Sequence, residues 1–261
     1  MNPALLVSKT GLQAQETKLQ VIANNLANVN TVGFKRDSIV FEDQFYEIAR
    51  MPGAASQGDN QIPSGVQLGT GVRVVATHKQ FTNGNLQNTS QQLDVAIVGN
   101  GFLQVTQANG ESAYTRAGQL QIDSDGRLVN ANGLPLQPEI TFPDGTRSIS
   151  ISDNGVISAM VGDAAEAEEL GTLQLATFAN PAGLMAMGDN LYVTTNASGE
   201  AVVGEAGEAG FGTLKQYALE SSNVQAVEEM VDMISAQRTY EMNTKVLSAA
   251  DDMLRNLAQS V

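Results

Sequence analysis

Hydrophobic positions recur at helical spacing at both ends of the chain and at a spacing of two in between. Near the C-terminus Val227, Met230, Val231 and Ile234 are followed by Tyr240, Leu247, Leu254 and Val261 seven apart, and no Pro or Gly occurs after Ser222. A second column holds Ala236, Ala250 and Leu257, interrupted by polar Asn243. This predicts one helix over residues 222–261, with Ser222 as its cap and Gln225 closing a capping box. A straight helix of that length reaches about 60 Å, beyond most globular elements. The stripe changes register between Ile234 and Tyr240, so it is not an ideal coiled coil. At the other end Asn2-Pro3 is a favourable helix start. Leu5, Leu12, Leu19 and Leu26 then fall seven apart beside Ile22 and Val29. Gly11 weakens this helix by about 1 kcal/mol relative to Ala. Asn28 to Asn30 should fray it, and Gly33 should end it.

Between the helices the pattern changes twice. Residues 37–52 set Phe41, Phe45, Tyr46 and Ile48 among acids, which suits either a short helix or an extended amphipathic hairpin arm. Gly53 to Gly71 is rich in Gly, Ser, Gln and Pro and reads as linker or exposed loop. From Val72 to about Leu219 short apolar runs alternate with polar positions, and Ser148 to Ser152 is a clean half-buried strand. The turn pairs Asn83-Gly84, Asn109-Gly110, Asp125-Gly126, Asn132-Gly133, Asp144-Gly145 and Asn154-Gly155 punctuate this region. The predicted class is α+β: long terminal helices paired as a coiled-coil-like inner layer, a central all-β domain and an extended hairpin-like arm. The expected boundaries are 1–36, 37–71, 72–220 and 221–261. On pattern alone the striped termini fit two readings. One is a helical hairpin closing a globular fold; the other is a pair that completes its burial against neighbouring copies.

Charge and composition narrow the function. The net charge of −14 disfavours a nucleic-acid or anionic-lipid binder, both of which need basic surface. Residues 1–36 nevertheless carry +3 and residues 222–261 carry −3, so the two ends could prefer each other. With no cysteine and one histidine, His78, neither a disulfide nor a thiolate or multi-His metal site can form within one chain. His78 reads as structural or solvated, and no G-x-S-x-G elbow accompanies it. Asp123-Ser124-Asp125-Gly126 resembles the opening of a calcium loop but lacks the closing Glu, and reads as a hairpin turn. Gly99-Asn100-Gly101 lacks the third glycine of a dinucleotide fingerprint. Asp163, Glu166, Glu168 and Glu169 read as a solvated loop. No apolar run reaches membrane-spanning length, and the N-terminus lacks the basic region of a cleavable signal peptide. We expect no catalytic residue and no cofactor.

The run Asn24-Asn25-Leu26-Ala27-Asn28-Val29-Asn30-Thr31-Val32-Gly33-Phe34-Lys35 resembles the signature of the bacterial flagellar rod and hook proteins. Asp94-Val95-Ala96-Ile97, Gly101-Phe102, Tyr114-Thr115-Arg116-Ala117-Gly118, Leu128-Val129 and Gln237-Arg238-Thr239-Tyr240-Glu241 extend the likeness along the chain. Phe41 to Gly71 is similar to the stretch that marks the distal-rod members, an arm reaching across to neighbouring subunits. The resemblance implies a self-assembling structural subunit of the rod across the periplasm, a drive shaft carrying torque from motor to hook. It also implies as partners further copies of the chain, proximal rod and hook proteins, surrounding ring proteins and the flagellar type III export apparatus, without nucleic acid or membrane insertion. The assembly interface it implies comprises Leu5, Leu12, Leu19, Ile22, Asn24, Asn25, Leu26, Asn28, Thr31, Gly33, Phe34, Phe41, Phe45, Tyr240, Leu247, Leu254 and Leu257. The alternatives are another rod or hook component and, from a different class, a secreted β-domain enzyme cleaving cell-wall glycan.

Overall fold

A computed structural model describes residues 3–51, 64–162 and 167–259 of the chain. The class is α+β: helix α1 (Pro3–Ala27), a strand-rich centre and helix α2 (Ala226–Gln259). The chain divides into two compact units, which are not consecutive in sequence. The first comprises residues 1–26, 37–78 and 225–261; the second comprises 27–36 and 79–224. Asn2, Val261 and residues 52–63, which carry part of the expected linker, lie outside the described residues.

In the first unit α1 and α2 meet through small residues. A Cβ on Gly11 would come 3.2 Å from the Asn243 amide nitrogen, so the missing side chain allows close approach at that point. Asn25 donates its amide to the Glu229 carboxylate at 3.3 Å. The contact moves forward along α1 as it moves back along α2, so the helices run antiparallel. On α2 the column through Glu229, Ala236, Asn243 and Ala250 turns inward, with Ala236 and Ala250 each 1% exposed. The larger column does not: Tyr240 and Leu254 stay 39% and 38% exposed. The helix begins at Ala226 rather than Ser222. The Ser222 hydroxyl accepts from the Val224 N–H instead, and residues 222–225 precede the helix.

Four strands complete this unit: β1 (Asp37–Asp43), β2 (Tyr46–Arg50), β3 (Val66–Gly69) and β4 (Val72–Lys79). Residues 37–50 are therefore extended, not helical. β1 pairs with β4, and the antiparallel β2–β3 pair is nested inside it. Between the ladders Gln44 donates its N–H to the Gly71 carbonyl at 2.8 Å and the Thr70 hydroxyl donates to the Phe45 carbonyl at 2.6 Å. At the base, Val72 N–H reaches the Thr10 hydroxyl on α1.

The second unit is built on a seven-stranded sheet. Its order is Met185–Gly188, Leu191–Val193, Ser112–Thr115, Phe102–Thr106, Gln174–Thr177 and Val202–Glu205, with Leu136–Gln137 also pairing to Phe102–Thr106. Alternation sends successive residues to opposite faces. Leu103, Ala113, Leu175 and Leu191 enter an aliphatic core with Leu128, Leu136, Ile157 and Leu214. Phe102, Tyr114, Ala176 and Tyr192 enter an aromatic cluster with Phe178 and Phe81, whose rings meet edge to face. Both faces of these strands are therefore covered. Asn109-Gly110 and Asn154-Gly155 close tight hairpins, as their composition predicts. Asn83-Gly84 does not: a Cβ at Gly84 would lie 1.9 Å from the Ser221 carbonyl oxygen, so this glycine permits packing against a distant segment. Glu168 and Glu169 open a strand, Glu168–Thr172, rather than lying in a loop; Asp163 and Glu166 lie outside the described residues.

Candidate assembly surface and the signature segment

The signature run is divided between the units, with Asn24, Asn25 and Leu26 in the first and Ala27 to Arg36 in the second. Thr31 turns the chain by donating its N–H to the Asn28 carbonyl and its hydroxyl to the Asn28 side chain. Gly33 follows at φ +70° and donates its N–H to the Glu220 carbonyl at 2.8 Å. A Cβ there would lie 2.7–2.8 Å from the Arg116–Ala117 backbone, so the position excludes any side chain on two grounds. Phe34 is buried, with the Lys79 ammonium 4.9 Å from its ring centroid.

Lys35 ends in a buried ion cluster. Its Nζ is 2.7 Å from Glu220 Oε1 and 2.8 Å from the Thr82 carbonyl, while Arg116 Nε donates to Glu220 Oε2 at 3.0 Å. The N–H of Gly84 also reaches Glu220 Oε1, and Arg116 Nη2 caps the Gly99 carbonyl. All three charged side chains are at most 2% exposed. Burial, then the Arg116 charge, pull the Lys35 ammonium down from 10.5 to about 8 against the opposing pull of Glu220. Desolvation likewise lowers Arg116. Asn223 stitches the surroundings: it accepts from the Arg36 N–H at 2.7 Å and donates to the Gln80 carbonyl at 2.8 Å and the Thr82 hydroxyl at 2.9 Å.

In the first unit Asn25 plays the corresponding part. Its side chain accepts from the Asp37 N–H at 2.8 Å and donates to the Asp37 carbonyl at 3.0 Å, besides reaching Glu229. It thereby ties α1, β1 and α2 together. Asn24 is exposed and donates to the Asp37 carboxylate. Ile22 is buried, whereas Leu5, Leu12, Leu19, Leu26, Phe41 and Leu247 are half-buried. The side chain of Leu257 lies outside the described residues.

Much of the first unit's apolar surface is uncovered. Val227 is 76% exposed, and Met230, Val231 and Ile234 share its side of α2; Met242, Val246 and Met253 are also exposed. Between β1 and β2 Phe45 is 91% exposed, and on the strands Tyr46, Ile48, Val66 and Leu68 are open. Large apolar side chains left this open are what an interaction surface requires. Among the described residues no group of three His, Cys, Asp or Glu side chains converges as a metal site would require. Asp123 and Asp125 instead face Arg127. The cluster of Lys35, Arg116 and Glu220 escaped the sequence reading. Lys35 and Arg116 lie in the quoted motifs, but Glu220 has no local signal and acquires its role only from contacts far apart in the chain.

Three family models match: "Flagella basal body rod protein" at residues 5–35, "Flagellar hook protein FlgE/F/G D1 domain" at 96–159, and "Flagellar basal body rod FlgEFG protein C-terminal" at 215–260. Among curated proteins, the chain is similar to the flagellar basal-body rod protein FlgG of Buchnera aphidicola, with 47% identity over 99% of each chain. It is also similar to those of Agrobacterium fabrum, at 45% over 96% of each, and Caulobacter vibrioides, at 42% over 98% of each. These names describe structural flagellar components rather than enzymes.

Proposed function

The chain belongs to the flagellar basal-body rod protein family and is a structural subunit of the flagellum's distal rod; we propose that it assembles into that rod by burying, between copies, the apolar faces its first unit leaves open. The observation that carries this reading is the division of labour on α2. The small column through Ala236 and Ala250 is spent inside the chain, while Tyr240, Leu254 and the Val227–Ile234 turns still expose apolar surface. α1 and α2 together would form the inner, coiled-coil-like layer of the rod, with Leu5, Leu12, Leu19 and Leu26 completing their burial against neighbours. A heterologous interface that does not close on itself yields an open helical tube. β1 to β4 would serve as an arm toward adjoining copies, bringing Phe41 and Phe45 to the interface. Asn24 and Asn25 contribute by holding α1 to β1 within the first unit, and Asn28, Thr31, Gly33 and Phe34 by fixing their own turn within the second.

In this reading the rod carries torque across the periplasm to the hook. Proximal rod and hook proteins would continue it, and ring proteins would surround it. The acidic central unit would present a hydrated exterior, and subunits would arrive through the flagellar type III export apparatus. The test is Leu254→Asp. It should abolish sedimentable polymer while leaving the β circular dichroism of the monomer unchanged; normal polymerisation would count against the reading.

A further inference from the structure

We propose that a cleft in the second unit binds a neutral oligosaccharide, with the Asp94 carboxylate accepting from its hydroxyls. The cleft holds about 840 Å³, within the range of ligand sites, and lies between residues 90–94 and the strand Leu120–Ile122. Asp94 lines it and is buried, at 9% exposure. Among the described residues no donor hydrogen-bonds to its carboxylate. The other buried carboxylates described, Glu220 and Glu229, both accept from side chains of this chain. A buried acceptor left unmet costs about 1–3 kcal/mol, so Asp94 calls for donors from outside the chain.

The surrounding side chains select the kind of donor. Asp94 forms an antiparallel bridge with Gln119, which sets the two side chains beside each other on one face, and alternation returns Gln121 to that face. Gln91 lines the cleft as well. All three glutamines are exposed, and their amides hydrogen-bond to no described residue. Each amide both donates and accepts, as a sugar hydroxyl or acetamido group does, while the acceptor-only carboxylate can take two hydroxyl donors. Leu93 and Ile122 offer apolar contact to the C–H face of a sugar ring. Other ligand classes fit less well. Among the described residues no Lys or Arg lines the cleft, which disfavours a phosphate. Asp94 is the one carboxylate there, too few for the oxygen shell of a hard cation. Glycan cleavage needs a pair of carboxyl groups, so the cleft is assigned binding without hydrolysis.

The test titrates the full chain, as monomer, with chitotetraose, cellotetraose and tetralysine at one ionic strength, followed by amide NMR shifts. The monomer is the reagent, so the outcome does not depend on whether the chain polymerises. At least one tetrasaccharide should shift the amides of residues 90–94 and 119–122. Asp94→Asn should weaken that binding by at least about tenfold. Gln121→Ala, at an exposed site, should weaken it in the same direction without moving the urea midpoint of the monomer. No sugar-dependent shift up to about 10 mM, tighter binding of tetralysine, or sugar binding left intact by the two variants would each overturn the proposal.

Discussion

The two compact units answer the burial problem in opposite ways. The second draws distant segments into itself: Gly33 and Lys35 from near the N-terminus, Arg116 from mid-chain and Glu220 from near the C-terminus meet with their donors and acceptors occupied. The first closes its helix pair through Gly11, Ala236 and Ala250 and leaves its larger side chains outside. One unit is finished by its own chain; the other keeps surface in reserve. That contrast separates residues whose loss unfolds a monomer from residues whose loss leaves a folded monomer that cannot assemble.

The sharpest break lies at Glu220. Glu220→Ala strands two buried cations and should destabilise the second unit by about 3–5 kcal/mol, read from urea unfolding of its β signal. Gly33→Ala comes next, at about 2 kcal/mol or more, because it forces a side chain into positive φ and against the Arg116 backbone. Lys35→Met sharpens the comparison through pH. The folded pKa of Lys35, about 8, lies below its ordinary 10.5, so within that window the unfolded chain binds the extra proton. The stability of the natural chain relative to Lys35→Met should therefore rise from pH 8 to pH 10.5, by about 1–3 kcal/mol. Denaturant melts at several pH values would check the sign. The smallest effect on monomer stability belongs to Val231→Asp, within about 0.5 kcal/mol because the site is exposed, while sedimentable polymer should be lost.

The sequence showed most where the determinants are local. Helical spacing placed both terminal helices, and Asn109-Gly110 and Asn154-Gly155 placed hairpins, because a turn needs only its own residues. The start of α2 was misread because Asn223 spends its side chain on Arg36, Gln80 and Thr82, holding Ser222 and its neighbours to the second unit. The two columns of α2 were both visible, but spacing cannot decide which one faces α1. The close approach at Gly11 decides it, favouring Ala236 and Ala250 over Tyr240 and Leu254. Glu220 was illegible, since a lone glutamate announces nothing until three remote segments converge on it.

Amide hydrogen exchange, followed on the full chain before and after polymerisation, tests the central claim most directly. Residues 226–259 should exchange readily in the monomer and become strongly protected in the polymer, while the strands between Val95 and Glu220 change little. A monomer whose α2 is already as protected as its central sheet, and gains nothing on polymerisation, would contradict the account.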